Sequence, residues 1–409
     1  MQIFLTVLMI VLNIFSVYLG VMALFTFKRR KPYPQVPPST RFAVVIPARN
    51  EEGVVGNLIA RLWEQTYPRK MFDVYVVTNN CTDRTAAVAR AAGAKVIDCA
   101  GAVTCKGDVL HQAIEALMPL RYDAFAFFDA DNLPDAEFLS RMNDALCAGE
   151  RVCKGRLKAG NATQSWVAGG YGLYHALMEW TYSRPHSAAG FSSNLVGTGF
   201  VAHREVFEAL GGWNTRSMCE DTEFAAQCSR IGYRVAWVPE ALSYDEQVAS
   251  FRVSLRQRRR WCRGMVQAAR PMTPSMFSRN CPRRGMARDF GMLFVISHTA
   301  PLATILALIS LPFQSPLMLA MGGAGLVLSY AGLALVGLAL CALGGYPIGR
   351  MGATVAMFPI FMASWVPLQV MALFVPVRRW SAIEHSGQPD AEKDDSDHEG
   401  GQLSRQNAV

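Results

Sequence analysis

Apolar runs alternate with helical patterns through the middle of this chain. Four short apolar runs predict β-strands, and helix-period segments that begin near Asn50, Asp83 and Lys106 follow the first three. The predicted helices run to about Thr66, to Ala92 and to Leu117. The strand-like runs are FAVVIP at 42–47, DVYVVT at 73–78, AKVID at 94–98 and DAFAFFD at 123–129. Continuous apolar strands that alternate with helices indicate a mostly parallel sheet covered on both faces, so we expect an α/β domain.

Much longer apolar runs lie near both ends of the chain. The run at 1–27 is long enough to cross a hydrocarbon core about 30 Å thick. Further runs near 290–311, 316–343 and 351–375 predict about three more segments. We therefore predict four parts, which are a transmembrane helix at 1–27, a domain at 41–288, a transmembrane region at 289–377 and a disordered polar tail at 385–409.

Basic residues set the expected orientation. Lys28, Arg29, Arg30 and Lys31 follow the first apolar run, so the positive-inside rule places the domain in the cytoplasm. Three further crossings would leave the tail outside, whereas the basic pair at 378–379 favours inside. An interfacial or re-entrant segment among the last three runs therefore stays an open alternative.

Composition narrows the class of protein. Charged residues make up 18% of the chain, below the roughly 25% of soluble domains. Nine of the ten cysteines lie in the domain without any spacing that suits zinc, which indicates a reducing compartment. The formal charge of +8 is concentrated at 252–288 without a nucleic-acid motif. We expect contact with anionic headgroups or phosphates and no nucleic-acid partner.

Polar residues collect where the predicted strands end. Pro47–Glu52, Asn79–Asp83 and Asp129–Asp131 each follow or close a strand. Open α/β sheets bind ligands beyond the carboxyl ends of their strands, and paired carboxylates there suit a divalent cation that holds phosphates. The alternative is that Asp129 and Asp131 only form a turn.

At this point seven segments, in order between Phe42 and Gly264, resemble family 2 glycosyltransferases. The likeness is to the membrane-embedded branch that includes cellulose, chitin, hyaluronan and poly-N-acetylglucosamine synthases. The segments are VVIPARNEE, TNNCTDRT, KGDVLHQAI, FFDADNLP, GTGFVAHREVFEALGGW, CEDTEF and QRRRW. The resemblance implies a GT-A nucleotide-sugar domain of Rossmann-like fold, an inverting transfer and a divalent Mg²⁺ or Mn²⁺ ion.

The resemblance also implies roles for the acidic residues. Asp131 would be the metal ligand that grips the diphosphate, and Asp129 would contact metal or nucleotide. Asp221 matches the catalytic base, with Glu220 as its orienting neighbour. An acidic first turn on a helix at 222–230 is the alternative for this pair.

A third group matches the family's Gln-x-x-Arg-Trp motif. Trp261 would stack on the acceptor sugar, Arg260 would meet the departing diphosphate, and Gln257 would hydrogen-bond between them. The alternative is a basic amphipathic helix on the membrane surface.

Six residues make up the implied donor-binding set. For two of them an alternative is open, since Lys106 could be a solvated lysine and Gly199, with Gly197 and Thr198, a plain turn. The donor-binding residues are Pro47, Asn79, Asn80, Lys106, Asp129 and Gly199.

One position departs from the family pattern. The family usually has Asp at one or both of positions 79 and 80, where the side chain accepts a hydrogen bond from uracil N3–H. Asn79 and Asn80 can still accept this bond, although without charge, so the sequence leaves the base of the donor open. Asp83 either compensates or caps the following helix, and we expect the cap.

Together these features predict an integral protein of a bacterial inner (cell) membrane with a cytoplasmic catalytic domain. It would move a sugar from a nucleotide diphosphate, expected to be a UDP-sugar, to a growing polysaccharide or oligosaccharide. Single transfer to a lipid, as in ceramide glucosyltransferase, and a catalytically silent nucleotide-sugar-binding protein are the alternatives. Because the spans are few for an export channel, a homo-oligomer is also open.

Overall fold

A computed structural model describes residues 2–28, 30–101 and 103–375 of the chain. Within these residues, eight strands form one sheet. They are β1 Phe42–Ala48, β2 Phe72–Thr78, β3 Lys95–Asp98, β4 Ala124–Phe127, β5 Leu133–Pro134, β6 Val152–Ala159, β7 Phe200–His203 and β8 Val235–Asp245. The spatial order is β3-β2-β1-β4-β7-β6-β8-β5.

The sheet is mixed but mostly parallel. Strand β1 pairs in parallel with β2 and β4, β2 with β3, and β6 with β8. Strand β7 runs antiparallel between β4 and β6, and β5 runs antiparallel to β8. The four strands predicted from the apolar runs are β1 to β4, so the α/β prediction is confirmed.

Fourteen α-helices surround the sheet or extend from it within the described ranges. They are α1 Gln2–Ala23, α2 Val55–Trp63, α3 Thr85–Ala91, α4 Lys106–Leu117, α5 Phe138–Cys147, α6 Trp166–Met178, α7 Arg184–Ala189, α8 Arg204–Leu210, α9 Glu220–Arg230, α10 Phe251–Met276, α11 Arg284–Ser310, α12 Pro316–Gly344, α13 Gly352–Ala363 and α14 Trp365–Phe374. The predicted bounds of α4 are confirmed.

The prediction that Asn50 caps the first helix is wrong. Asn50 has a φ of 58°, and its side-chain oxygen accepts a hydrogen bond from the backbone N–H of Thr82 at 2.8 Å. Because this contact holds the segment before α2 in a turn, the helix begins only at Val55. Asp83 instead accepts a hydrogen bond from the Thr85 N–H at 3.0 Å, as expected for a residue that caps α3.

Two apolar cores cover the faces of the sheet. One is built around large aromatic rings, and in it the rings of Trp213 and Phe224 stack at 4.3 Å between centroids. The other lies against α2 and α5 and includes Leu58 and Phe138. Because both faces are buried, the edges of the sheet are where polar groups collect.

Within the described residues, four segments are long and apolar enough to cross a membrane. They are Ile10–Phe27, Arg284–Phe313, Pro316–Gly344 and Gly352–Phe374. The last of them is divided between α13 and α14 at Ser364. Helix α10 packs on α11 and α14, and α6 packs on α12 and α13, so these two helices join the apolar segments to the sheet domain. The tail predicted at 385–409 lies outside the described residues.

Candidate active site

The predicted ligand-binding residues converge at the edge where the parallel strands end. Pro47 lies near the end of β1, Asn79 directly follows β2, and Asp129 follows β4 after one residue. Pro47 and Lys106 line one narrow crevice together with Glu220 and Asp221. The sheet therefore gathers residues that are far apart in sequence, which agrees with the general position of ligand sites in such sheets.

Lys106 lies at the centre of this group. Its Nζ donates to Asp129 Oδ1 at 2.5 Å and to the Gly197 carbonyl at 3.2 Å, and it lies 3.3 Å from Glu220 Oε1. Burial alone would lower the pKa of Lys106, but the carboxylates of Asp129 and Glu220 raise it above its ordinary value. The alternative of a solvated lysine is therefore wrong.

Glu220 and Asp221 form the first turn of α9, and their environments differ. The Glu220 side chain is buried, and this burial raises its pKa to about 7, with the charge of Asp221 adding to the effect and Lys106 opposing it. Asp221 Oδ2 accepts the backbone N–H of Gly197 at 2.5 Å. Among the described residues, nothing donates a hydrogen bond to the other oxygen, Oδ1.

The turn at Val196–Gly199, which we call the glycine turn, connects several of these groups. Val196, Gly197 and Gly199 have φ angles of 49°, 76° and 62°. A Cβ on Gly199 would lie 2.8 Å from Ser243 Oγ, so packing alone requires glycine there. Gly197 is the residue of this turn that faces Asp129. The donor-sugar role expected for Gly199 stays a prediction.

Asp245, the last residue of β8, is a carboxylate that sequence reasoning missed. Its Oδ1 accepts from Asn132 Nδ2 at 3.0 Å and its Oδ2 from Gln247 Nε2 at 2.7 Å. Burial raises the pKa of Asp245 well above its ordinary value, and the nearby Asp131 and Asp129 raise it further. The available signal was an acidic residue at the end of an apolar strand, as at Asp129.

These carboxylates fit a divalent cation. Within the described residues, no group of three or more His, Cys, Asp or Glu side chains is arranged to hold a metal ion alone. Mg²⁺, however, is commonly held by one or two carboxylates together with substrate phosphates and water. Asp131 lies beside Asp245, and the crowding of the two acids is what a divalent cation would relieve.

The residues of the Gln-x-x-Arg-Trp motif lie on α10, at the side of the site that meets the apolar helices. Gln257 Oε1 accepts from the Tyr171 hydroxyl at 2.8 Å. The Trp261 ring meets Tyr171 edge to face at 5.9 Å between centroids and stacks on Trp365 of α14 at 6.2 Å. The guanidinium of Arg260 has no hydrogen-bond or ion-pair partner in the part of the chain described here.

A close approach of two helices brings α10 against the acidic turn of α9. A Cβ on Gly264 would lie 2.5 Å from Cys219 Sγ and 2.7 Å from the Cys219 backbone nitrogen. The Cys219 thiol also donates to the Trp261 carbonyl at 3.3 Å. The close contact of α10 with the start of α9 therefore requires glycine at 264.

The two asparagines differ in what they offer a ligand. Asn79 is buried, and its Oδ1 has no hydrogen-bond partner in the described structure. Asn80 is exposed and adopts a φ of 48°. Asp83 is engaged by Thr85 and by the Glu52 N–H, so its carboxylate is occupied as a cap. An unpaired buried acceptor is costly, and the donor-binding roles of Asn79 and Asn80 stay predictions.

The chain is similar in sequence to known glycosyltransferases. A family model described as "Glycosyltransferase like family 2" matches residues 37–264. The probable glycosyltransferase YdaM of Bacillus subtilis is 26% identical over 63% of this chain and 63% of its own length. A beta-monoglucosyldiacylglycerol synthase of Synechocystis is 26% identical over 58% of this chain and 49% of its own length. The chain therefore spans less than two thirds of either relative.

Among solved structures, the fold is similar to the mannosyltransferase PcManGT from Pyrobaculum calidifontis in complex with GDP-Man and Mn²⁺. The TM-score is 0.63 at 17% identity, and the match covers 90% of this chain and 99% of that one. At this identity the likeness concerns the fold, and it confirms the predicted GT-A type of α/β domain.

Proposed function

This chain belongs to the glycosyltransferase-like family 2, and we propose that it is a metal-dependent, inverting enzyme that acts at the cytoplasmic surface of a bacterial inner membrane. It takes a sugar from a nucleotide diphosphate and transfers it to a hydroxyl group. The observation that carries the proposal is the convergence of Lys106, Asp129, Glu220 and Asp221 at one edge of the sheet.

An inverting transfer needs a base on the acceptor side of the anomeric carbon. The acceptor oxygen forms a bond to this carbon, the bond from carbon to phosphate oxygen breaks, and the diphosphate leaves with the electron pair. Asp221 would accept the acceptor's proton on Oδ1, since the Gly197 N–H occupies Oδ2. Glu220 would stay beside it as the buried neighbour that Lys106 contacts.

The leaving diphosphate needs positive charge. Lys106 is already held between carboxylates at the crevice, and Arg260 is free to form a bidentate contact with phosphate oxygens. Asp131 and Asp245 would hold Mg²⁺ or Mn²⁺, with Asp129 adjacent. A bound ion would neutralise the charge that grows on the diphosphate.

The nucleotide base would lie at the end of β2. The Oδ1 of Asn79 is an unpaired acceptor, and the amide also carries a donor nitrogen. Such a pair matches uracil, whose N3–H lies between two carbonyl groups, and supports a UDP-sugar as the donor. Asn80 and Pro47 would border the same pocket, and Gly199 of the glycine turn would lie on its donor-sugar side.

For the acceptor, the arrangement around Trp261 favours a lipid hydroxyl. The Trp261 ring stacks on Trp365 of α14, and α14 is part of one of the apolar segments. An amphipathic acceptor could therefore lie with its tail among these helices. The relative from Synechocystis is named for a glucosyl lipid, which points in the same direction.

A polysaccharide or oligosaccharide acceptor, which the sequence favours, is the second candidate. The observation in its favour is the ring of Trp261, because such a flat surface can also stack under a pyranose of a growing glycan. The two candidates make different products and are separated by one assay.

The test uses the full chain in lipid nanodiscs with Mn²⁺. UDP-sugars and GDP-sugars are supplied separately, with either diacylglycerol or short oligosaccharides as acceptor. Release of nucleoside diphosphate and the mass of the product are measured, with Asp221→Asn as the inactive control. We expect release with a UDP-sugar and a glycolipid product. Donor binding without turnover for every combination of donor and acceptor would instead support a catalytically silent nucleotide-sugar-binding protein.

A further inference from the structure

Lys154 is a buried lysine that the chemistry proposed above does not use. It lies on β6 with 3% of its surface exposed, and its Nζ donates to the carbonyl oxygen of Thr198 at 2.5 Å. This carbonyl is its single hydrogen-bond partner among the described residues. Because burying an ammonium group is costly, its place under the glycine turn calls for a physical reason.

The charges around Lys154 provide part of that reason. Burial lowers its pKa to about 7, while the carboxylates of Asp221, Asp245 and Asp129 oppose this effect. The same three carboxylates surround the site from α9, β8 and the turn after β4. From α6, the imidazole of His175 faces Lys154, and burial lowers the pKa of His175 to about 4, so it is neutral near pH 7.

The glycine turn depends on contacts with these side chains. The Gly197 N–H donates to Asp221, the Gly197 carbonyl accepts from Lys106 at 3.2 Å, and the Thr198 hydroxyl accepts from the Asp129 N–H at 2.9 Å. Lys154 holds the Thr198 carbonyl, and backbone N–H groups hold the carbonyls of Val196 and Gly199. A shift of this turn would therefore move the hydrogen-bond donor of Asp221.

The backbone of the turn is not self-supporting. Val196 is β-branched and has a φ of 49°, a conformation that is rare and costly for such a residue. Strain of this kind persists only where surrounding contacts hold it. From the sheet, the Gly155 N–H and the Phe127 carbonyl hold Gly199 at 2.9 Å each, and Lys154 is the side chain of the sheet that holds the Thr198 carbonyl.

We propose that Lys154 is a positioning residue for the transfer reaction, which holds the glycine turn through the Thr198 carbonyl so that the Gly197 N–H stays on Oδ2 of Asp221. The other oxygen of Asp221 is then aimed at the acceptor hydroxyl. This inference rests on the proposed function, and it adds to that function a residue that the sequence motifs do not contain.

The test replaces Lys154 by methionine, with Lys158→Met as the matched control. Lys158 lies four residues further along the same strand, and its Nζ lies over the ring of Tyr346 instead of under the turn. Methionine keeps the length of the side chain without its charge, and apolar replacements of buried charges are often tolerated. Lys154→Gln serves as a second variant if the methionine form does not fold.

Two readouts are measured on each variant. Hydrogen–deuterium exchange reports the amides of Gly197 and Gly199, which bond to Asp221 and to the Phe127 carbonyl. We expect faster exchange there in Lys154→Met and unchanged exchange in Lys158→Met. In the transfer assay we expect kcat to fall by about 10 to 10² with donor KM little changed, since a small misplacement of the reacting groups has that effect.

The outcomes separate this inference from the function on which it rests. If the wild type transfers sugar, and Lys154→Met has the same kcat and the same amide exchange as the wild type, the positioning role is overturned. The proposed function is then unaffected. A lowered melting temperature with wild-type kcat would overturn the positioning role too, because a purely structural lysine gives that result. If the wild type transfers no sugar, the proposed function fails, and the exchange of Gly197 and Gly199 still decides whether Lys154 holds the turn.

Discussion

The two edges of the sheet both carry lysine, aspartate and hydroxyl groups, but they are organised differently. At the amino edge, where the parallel strands begin, Asp73 accepts from the Tyr122 hydroxyl at 2.7 Å and lies 3.1 Å from Lys95. Tyr122 in turn is 2.8 Å from the Tyr75 hydroxyl. Burial alone would raise the pKa of Asp73, but the hydrogen bonds from Tyr122 and Lys95 lower it below its ordinary value.

At the carboxyl edge, the two lysines Lys106 and Lys154 face an excess of acid. Five carboxyl groups lie around the position of Lys106 and the glycine turn, and the pKa values of Glu220 and Asp245 are raised by burial and by their acidic neighbours. The five are Asp129, Asp131, Glu220, Asp221 and Asp245. Asn79 Oδ1 and the Arg260 guanidinium add groups that the described residues leave unpaired.

We propose that this difference separates a structural polar cluster from a functional one. At the amino edge, both carboxylate oxygens of Asp73 have a donor. At the carboxyl edge, the raised pKa values of Glu220 and Asp245 and the unpaired Asn79 Oδ1 support the proposed binding of a cation and a nucleotide. The direction and the cause of a pKa shift therefore indicate a functional site here, whereas the presence of charged groups alone does not.

The largest expected effect is on turnover. Asp221→Asn should lower kcat by about 10² to 10⁴, the usual contribution of a general base, with donor binding nearly intact. The measurement is release of nucleoside diphosphate at saturating donor, and Asp73→Asn at the amino edge is the control. A near-normal rate in Asp221→Asn would remove the base assignment, and an equal loss in Asp73→Asn would break the comparison.

The next effect concerns the boundary between the carboxyl edge and the apolar helices. Trp261→Leu should lower transfer by about 10², because the acceptor loses the ring that positions its hydroxyl. Donor binding should survive, since Lys106 and the metal-holding carboxylates are unchanged.

Trp166→Leu is the matched control, because Trp166 packs on Phe251 and belongs to the same apolar cluster as Trp261. Both variants are assayed in detergent and in nanodiscs. Full activity of Trp261→Leu in nanodiscs, with loss only in detergent, would assign Trp261 to membrane anchoring.

The smallest effects are on stability, and they have opposite signs at the two edges. The folded-state pKa of Asp73 is lowered, so its stabilising contribution is present above its ordinary pKa of 3.8 and is lost as the pH falls. Asp73→Asn should therefore reduce the free energy of unfolding at pH 8 by about 1 to 3 kcal/mol, and by progressively less as the pH falls below 3.8.

For Glu220 the folded-state pKa is raised from 4.5 to about 7. The protonated form is favoured in the fold, so stability is lost as the pH rises from 4.5 through 7. Glu220→Gln should raise the melting temperature at pH 8 and leave it unchanged near pH 4.5. Melting curves of Asp73→Asn and Glu220→Gln at several pH values check both predictions. A change of melting temperature in the same direction for both variants at pH 8 would contradict the distinction between the edges.

Much of this arrangement follows from the sequence, and the rest depends on tertiary contacts. Strands β1 to β4 follow one another with clear apolar periods, so the joint position of Lys106 and Asp129 was predictable. Lys154 and Asp245 come from β6 and β8, which are paired with each other although they are far apart in the chain. No local pattern shows that these two strands would place their polar residues beneath and beside the same turn.

The local errors have the same cause. The start of α2 is set by the contact of Asn50 with Thr82, which lies after the next strand. The need for glycine at position 264 likewise follows only from the packing of α10 against the start of α9. Propensity rules describe a segment alone, whereas these positions are decided by a neighbour distant in sequence.

The central claim is that the carboxyl edge holds a nucleotide diphosphate through a divalent cation at Asp131. It is tested most directly by calorimetric titration of UDP into the full chain with Mn²⁺ or with a chelator, for the wild type, Asp131→Ala and Asp73→Asn. We expect binding by the wild type and Asp73→Asn only when Mn²⁺ is present, and no metal-dependent binding by Asp131→Ala. Unchanged Mn²⁺-dependent affinity in Asp131→Ala would contradict the account.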